Sequence, residues 1–133
     1  MTDFSAYLAE QIVDWMSQNT QLDTPPTALW ITVYDDTDTE LDANLTDARK
    51  DVTTTGSEWT KVGTNFENAS QISLGTASTQ LSNVTDVALF DAETGGNEIA
   101  RYEINEAPFN VASGSELTFE AGDLSFDVVD RTE

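Results

Sequence analysis

The hydrophobic positions recur with two different periods along the chain, and the period changes near residue 27. In residues 3–18, apolar side chains recur at every third or fourth position, the spacing of an amphipathic helix. These side chains are Phe4, Tyr7, Leu8, Ile12, Trp15 and Met16. Thr2 or Asp3 can cap the start of this helix, and the Pro25-Pro26 pair closes the linker that follows. We therefore expect a helix and linker over residues 1–26 and a second unit over residues 27–133.

From residue 27 onward, apolar and polar positions alternate, which predicts β-strands. The strands are expected at residues 28–34, 48–54, 58–62, 70–75, 84–91, 97–104, 116–120 and 124–129. The segment from Ala92 to Gly96 should join two of them as a hairpin, because Gly95 and Gly96 supply positive φ angles. Short strands at this spacing, with no second helix, predict a mostly-β fold: an antiparallel β-sandwich or jelly roll with one N-terminal amphipathic helix.

The apolar side of the predicted helix has two possible partners. Phe4, Leu8, Ile12 and Trp15 span almost four turns on one face, and this face either covers the core or docks on a partner. The predicted strands already offer many apolar residues to the core, so the helix leaves surplus apolar area. Such area on a very acidic chain is commonly buried in a closed ring of identical subunits, which makes a homo-oligomer the expectation.

The charge of the chain is strongly negative. The 133 residues include 25 Asp and Glu but only 5 Lys and Arg, which gives a net charge of −20. A folded chain of this size exposes about 6,900 Å², or one net negative charge per roughly 340 Å². Such a surface repels itself at ordinary ionic strength, where the Debye length is about 8 Å, and much less at 1 M salt, where it is about 3 Å. The composition therefore favours a protein that works in concentrated salt, the alternative being an acidic protein of an ordinary cell.

The composition also removes most catalytic and binding classes. The chain has no cysteine and no histidine, which excludes disulfides, thiol nucleophiles, zinc or haem ligation by these residues, and imidazole bases. The acidic excess argues against nucleic acid as a partner, and no apolar run is long enough to span a bilayer. Carboxylate pairs could serve glycoside hydrolysis, but 25 acids make accidental pairs certain. We expect no enzymatic activity.

One acidic loop is a candidate cation site. The loop carries Asp36, Asp38, Glu40 and Asp42 at alternating positions, and alternating oxygen ligands can wrap Ca²⁺ or another hard cation. The EF-hand pattern fails, because Leu41 stands where the sharp turn needs glycine. The alternative is a solvated acidic loop, which so acidic a chain will contain anyway.

The tryptophans suggest a carbohydrate-binding alternative. Trp15, Trp30 and Trp59 could stack on sugar rings, but most of them sit at apolar-pattern positions, which favours packing in the core. Trp59 lies in a polar context and is expected to be the most exposed of the three.

Two segments carry a resemblance to a known family. Residues 84–97 include the run Ala-Leu-Phe-Asp-Ala-Glu-Thr-Gly-Gly-Asn, and residues 111–128 contain Phe-Glu-Ala-Gly-Asp-Leu before an alternating end. These segments resemble small virion proteins of tailed viruses, which are described as tail-fibre-like, minor structural or head-decoration proteins. The resemblance covers about the last 50 residues well and the rest loosely, and its motifs are turns and strands rather than catalytic residues.

The resemblance implies a β-sandwich subunit displayed on a virus particle. Together with the acidic composition, it suggests a tailed virus that infects halophilic archaea. The expected role is a head-decoration, turret or spike subunit that assembles with itself and with other capsid or tail proteins. The alternatives are a tail-fibre or baseplate component that binds a host surface glycan or S-layer, and, from another class, a carbohydrate-binding module.

Overall fold

The computed structural model describes residues 2–18, 21–23, 28–52, 59–104 and 106–127. The described residues form one α-helix, α1 (Ala6–Gln18), a 3₁₀ turn at Asp42–Asn44, and eleven strands. The strands are β1 (Thr2–Phe4), β2 (Leu29–Asp35), β3 (Lys50–Val52), β4 (Trp59–Val62), β5 (Asn65–Asn68), β6 (Ile72–Thr76), β7 (Leu81–Phe90), β8 (Glu98–Glu103), β9 (Phe109–Val111), β10 (Glu116–Phe119) and β11 (Ser125–Asp127). No helix among the described residues has the length and apolarity that a membrane span requires.

The strands form three antiparallel sheets. The largest has the order β1-β8-β7-β2-β3, with β9 also paired to β7. The second sheet pairs β10 with β6, and the third has the order β11-β5-β4. Among the described strands no sheet closes into a barrel. The mostly-β antiparallel fold with one N-terminal helix is therefore confirmed.

The core lies between the six-stranded sheet and the two smaller sheets. Ile31, Val33, Val87 and Leu89 enter it from the largest sheet, because alternate residues of β2 and β7 face the same side. Ile72, Leu74, Leu117 and Phe119 enter from β6 and β10, while Leu124 and Phe126 enter from the third sheet and the turn before it. Fully burying side chains of this size contributes about 1.5–3 kcal/mol each before entropy is subtracted.

The N-terminal segment differs from the prediction. Residues 2–4 are not the first turn of a helix but a strand, because they pair with β8 in the register Thr2↔Tyr102, Asp3↔Arg101 and Phe4↔Ala100. The helix begins after Ser5, whose Oγ accepts a hydrogen bond of 3.1 Å from the N–H of Leu8. Ser5 is thus the N-cap, and Thr2 and Asp3 are not. The predicted end of the helix near Asn19 and the Pro25-Pro26 linker lie outside the described residues.

Most predicted strands are present, with shifted ends. The hairpin is confirmed: β7 and β8 pair across the predicted turn, with φ of 63° at Gly95 and 71° at Gly96. The strand predicted at 84–91 starts earlier, at Leu81, and the prediction missed β5 and β9. The division of the chain at residue 27 stays a prediction.

Candidate functional site

The first candidate is the N-terminal arm, which we define as the described parts of residues 2–23. Its strand β1 adds to the outer edge of β8, and the N–H of Ser5 extends this pairing to the carbonyl of Ile99 at 3.1 Å. Asp23, which follows α1 in the sequence, is hydrogen-bonded to two side chains of the helix. Tyr7 Oη donates to Asp23 Oδ2 at 2.6 Å, and Gln11 both donates to Asp23 Oδ2 and accepts from its N–H. These hydrogen bonds hold Asp23 against the helix within the arm. The hydrogen bond to Asp23 also raises the pKa of Tyr7.

The arm carries every exposed large hydrophobic side chain among the described residues. The exposed fractions are 41 % for Phe4, 54 % for Val13, 52 % for Trp15, 66 % for Met16 and 41 % for Leu22. None of the side chains of α1 is buried. Scattered exposed hydrophobics are normal on a protein surface, but here they are restricted to one short segment, which makes the arm a candidate interaction surface.

The four predicted docking residues are only partly brought together. Leu8 and Ile12 are one helical turn apart and half-buried, whereas Trp15, one turn further, is exposed. Phe4 belongs to β1 rather than to the helix. The sequence pattern missed Val13 and Leu22, because neither continues the spacing of the others. We define the exposed apolar end of α1 as Val13, Trp15 and Met16.

The second candidate is an arginine cluster on the outer face of the six-stranded sheet. Arg49 forms a bidentate pair with Glu40, in which Nε donates to Oε2 at 2.9 Å and Nη2 donates to Oε1 at 3.0 Å. Its Nη1 donates to the carbonyls of Ala92 and Gly95 at 3.0 and 2.8 Å, and its guanidinium lies 3.8 Å from the centre of the Phe90 ring. Arg49 therefore ties the acidic loop and the β7–β8 turn to the sheet.

Arg101 is the second cation of this cluster. It contacts the carboxylates of Glu98 and Asp38, lies 3.7 Å from Asp86, and stacks 4.0 Å from the centre of the Tyr34 ring. Burial alone would lower the pKa of Arg101, but the bonds to Glu98 and Asp38 outweigh it and raise the pKa. Two of the five basic residues of the chain are thus satisfied by acids on one sheet face.

Two carboxylates of the cluster have pKa values that are shifted in opposite directions. Burial raises the pKa of Glu40, but the hydrogen bonds from Arg49 and the attraction of its charge outweigh burial and leave the pKa lowered. The pKa of Asp86 is raised, because burial outweighs the attraction of Arg101. The cluster therefore favours a charged Glu40 and disfavours a charged Asp86. These contacts satisfy the arginines internally and give the cluster a structural role.

The predicted cation site lies in the loop after β2, where its carboxylates have different partners. Asp38 contacts Arg101, Glu40 pairs with Arg49, and Asp36 Oδ2 accepts from Asn83 at 3.2 Å. Asp42 accepts from the N–H of Ala43 at 2.9 Å. Within the described residues, no group of three or more acidic side chains is arranged to hold a metal ion. The calcium site stays a prediction.

Asp35, just before these residues, shapes the loop. Its Oδ1 accepts hydrogen bonds of 2.7–3.0 Å from the Thr37 hydroxyl and from the N–H groups of Thr37 and Thr39. The bond from the Thr37 hydroxyl contributes most to lowering the pKa of Asp35. The alternation of acids in the sequence does not reveal that Asp35 closes the turn, although this role is typical of Asp.

The tryptophans do not form the exposed platform that sugar stacking needs. Trp59 was expected to be the most exposed of the three, but it is half-buried and meets Phe126 edge-on at 5.8 Å. Trp30 is also half-buried, and Trp15 is exposed on α1. A cleft of about 330 Å³ lies elsewhere, between the ends of β8 and β10, and its lining includes Tyr102, Phe109 and the acids Glu106 and Asp123. Burial raises the pKa of Tyr102, and Asp123 raises it further.

The comparisons with known proteins identify the class of the chain. The model of a family described as podophage GP4 fiber I protein gp80 matches residues 3–127. No curated protein matches the chain. The family match spans the helix and all three sheets, and a phage fibre protein is a structural part of the virus particle. The chain is therefore a virion protein of a tailed virus, and it belongs to the podophage GP4 fiber I protein gp80 family.

Proposed function

We propose that the protein is a non-enzymatic subunit of a virion fibre that assembles with copies of itself. The exposed apolar end of α1 lies in the interface between copies. One observation carries this proposal: all exposed large hydrophobic side chains among the described residues lie in the N-terminal arm. The family description supports a fibre more than a head decoration, which is the other candidate position.

A second copy is the occupant that best fits this surface. Identical subunits most often close into symmetric dimers or rings, and in a twofold dimer the same patch of each copy meets its counterpart. Glu10 and Asp14 are the charged residues of α1, so the helix carries about the same net negative charge per residue as the whole chain with its net charge of −20. Burial of apolar area opposes the remaining repulsion, and salt reduces that repulsion.

A pair of matched variants tests this interface. The double variant Trp15→Ser/Met16→Ser removes apolar area from the helix end without changing its charge. The control Glu10→Gln/Asp14→Asn removes two negative charges from the same helix and leaves its apolar side chains intact. Mass is measured by light scattering in 2 M NaCl, and folding by circular dichroism. We expect the wild type and the control to be multimers and the serine variant to be a folded monomer.

Two outcomes would overturn the proposal. A wild-type chain that stays monomeric at every concentration and salt tested is not a self-assembling subunit. A serine variant that keeps the wild-type mass does not use this surface. If the wild type is monomeric and only the serine variant is lost from virus particles, then the arm docks on another virion protein instead.

The position on the particle is tested separately. Heads and tails are separated from disrupted virions, and the chain is located by mass spectrometry and by antibody labelling in the electron microscope. We expect it with the tail or fibre fraction. Recovery with empty heads would favour the head-decoration role.

The acidic composition further supports a virus of a high-salt habitat.

A further inference from the structure

The N-terminal arm is attached to the sandwich through an edge and not through the core. No described side chain of residues 4–23 belongs to the hydrophobic core cluster. The arm is held by the β1–β8 pairing, by the bond from Ser5 to Ile99, and by half-buried residues on the inner side of α1. The arm can therefore leave its own sheet without opening the core.

The edge of β8 recognises a strand mainly through its backbone. Without β1, the outer side of β8 would present unpaired N–H and C=O groups, which are a template for another strand. Strand addition obtains its affinity from main-chain hydrogen bonds, and β1 already fits this edge in a defined register. Every copy of the chain carries the same strand and the same edge, so a second copy offers a matching donor.

The arm is also a unit that can move as a whole. Ser5 caps the helix, and Tyr7 and Gln11 hold Asp23 against it. These bonds lie within the arm and persist wherever the arm docks. The contacts of β1 with β8 are the same in a closed chain and in an exchanged pair, so exchange costs little and brings two chains together.

We propose that copies of this chain exchange their N-terminal arms, so that β1 of one copy completes the six-stranded sheet of its neighbour by pairing with β8. The inference rests on the proposed self-assembly and names the element that links the copies. In the exchanged pair, the exposed apolar end of α1 is carried to the neighbour and lies beside the junction between the two chains.

Engineered cysteines test the exchange, because the chain has no native cysteine. Phe4 lies opposite Ala100 in the ladder, and the next pair, Ser5 and Ile99, is hydrogen-bonded. Because hydrogen-bonded and non-hydrogen-bonded pairs alternate in an antiparallel ladder, Phe4 and Ala100 form a non-hydrogen-bonded pair, whose Cβ atoms are close enough for a disulfide. Chains carrying only Phe4→Cys are unfolded together with chains carrying only Ala100→Cys, refolded in 2 M NaCl and oxidised. We expect a covalent dimer whose disulfide joins positions 4 and 100.

Controls separate exchange from chance collision. Mixing Phe4→Cys chains with Asp51→Cys chains places the second thiol on β3, at the opposite edge of the sheet, and should give few dimers. The double variant Phe4→Cys/Ala100→Cys reports whether the bond forms within one chain or between two. Should Ala100→Cys fail to fold, Phe4→p-benzoylphenylalanine gives the same information by photocrosslinking, with the attached β8 peptide located by mass spectrometry.

The outcomes distinguish the exchange from the self-assembly on which it rests. Multimers in light scattering, with bonds between positions 4 and 100 only inside single chains, would overturn the exchange and leave the proposed function standing. A monomeric wild type whose double variant closes within one chain would overturn both. Dimers joined at 4 and 100 in proportion to the mixing ratio would support both.

Discussion

At the scale of single residues, the structure gives unequal importance to two neighbouring cations. The side chains of Arg49 and Glu40 are 10 % and 18 % exposed, whereas those of Lys50 and Asp47 are 40 % and 52 % exposed. Arg49 also has a φ of 53°, a left-handed conformation that side chains disfavour, so its bonds must offset a backbone cost. Neither difference is visible in the sequence, where the two cations are adjacent and lie between Asp47 and Asp51.

We expect Arg49→Ala to lower the free energy of unfolding by about 2–4 kcal/mol, because it leaves Glu40 half-buried without its bidentate partner. The matched control Lys50→Ala removes an exposed pair and should cost no more than about 1 kcal/mol. Urea unfolding at a fixed salt concentration measures both. Equal losses for the two variants would show that the cluster does not stabilise the fold.

The pKa of Glu40 predicts how this pair depends on pH. Its pKa in the folded chain is lowered from 4.5, so its stabilising effect is present above about pH 4.5 and is lost as the pH falls through the folded pKa. The difference in unfolding free energy between wild type and Glu40→Gln should therefore be largest near neutral pH and shrink below pH 4.5.

Asp86 serves as a control for that pH series, because its pKa is shifted in the direction opposite to that of Glu40. Its pKa is raised, so the charged form is disfavoured in the folded chain, and stability is lost as the pH rises through the folded pKa. Asp86→Asn should therefore gain stability relative to wild type as the pH rises. A difference for Glu40→Gln that stays constant from pH 7 to pH 3 would contradict the assignment.

Asn68 is a residue whose importance the sequence does not reveal. It is 1 % exposed, and its side chain joins β5 to the end of β10 and to the turn before β11. Its Nδ2 donates to the carbonyls of Ser70 and Glu120 at 3.0 and 2.8 Å, while Oδ1 accepts from the N–H groups of Gly122 and Leu124 at 3.1 and 3.0 Å. In the sequence it is one of several asparagines in a polar stretch.

We expect Asn68→Ala to lower the free energy of unfolding by about 3–5 kcal/mol, because several buried backbone groups lose their partners at once. Asn65→Ala is the control: Asn65 lies on the same strand and is half-buried, and its side chain bonds to the hydroxyl of Ser125, so its loss should be about 1 kcal/mol. Thermal and urea unfolding check the pair. A loss for Asn68→Ala as small as that of the control would mean that water replaces these bonds at little cost.

At the scale of elements, the local sequence pattern predicted the strands whose apolar and polar residues alternate. It failed for strands that form only because they pair with residues distant in the sequence. The hairpin of β7 and β8 was predicted because both strands and their turn have clear local signals. The sequence pattern predicts helix for Asp3 and Phe4 of β1, because only the pairing of β1 with residues 100–102 makes it a strand. The strand β5 was missed because Asn and Glu disfavour strands, and its place between β4 and β11 overrides that preference.

The turn between β7 and β8 gives a prediction at this scale. Both Gly95 and Gly96 have positive φ, so a side chain at either position is strained. A Cβ at Gly95 would meet nothing within 4 Å, whereas one at Gly96 would lie 2.5 Å from the carboxylate of Asp91 and 2.6 Å from the Cβ of Ala92. Gly95→Ala should cost about 1 kcal/mol, and Gly96→Ala clearly more.

Asparagine at position 95 serves as the control, because Asn tolerates the left-handed region better than alanine does. Gly95→Asn should therefore fall between the wild type and Gly95→Ala in thermal melting. If Gly96→Ala melts at the wild-type temperature, the packing of the turn against Asp91 and Ala92 is wrong.

At the scale of the whole molecule, the hydrophobic pattern predicted the fold class and the resemblance to virion proteins predicted the virion location, but neither predicted which apolar side chains stay exposed. The apolar spacing placed a helix near the N-terminus, and its amphipathic pattern suggested a partner. Which apolar residues stay exposed depends on how far α1 extends beyond the half-buried contacts of Leu8 and Ile12, and that follows only from the tertiary structure. For the acidic loop, the spacing in the sequence suggested a set of cation ligands. The partners that the fold gives to these carboxylates could not be read from the sequence.

The net charge of −20 leads to the prediction that folding and assembly weaken well below 1 M salt. Repulsion among exposed carboxylates is screened as the Debye length falls from about 10 Å at 0.1 M to about 3 Å at 1 M, and little screening remains to be gained beyond that. The melting temperature and the mass in light scattering should therefore rise steeply between 0.1 and 1 M NaCl and more gently up to 2 M. Salt also strengthens apolar burial, but that effect continues to grow with concentration, and a neutral osmolyte such as sucrose reproduces effects of solute exclusion without screening charge. Adding sucrose in place of salt should therefore not produce the steep rise in melting temperature and mass that is expected between 0.1 and 1 M NaCl. Equal melting temperatures in 0.1 M and 2 M NaCl, or the same rise in sucrose as in salt, would show that the acidic surface does not limit the stability of this chain.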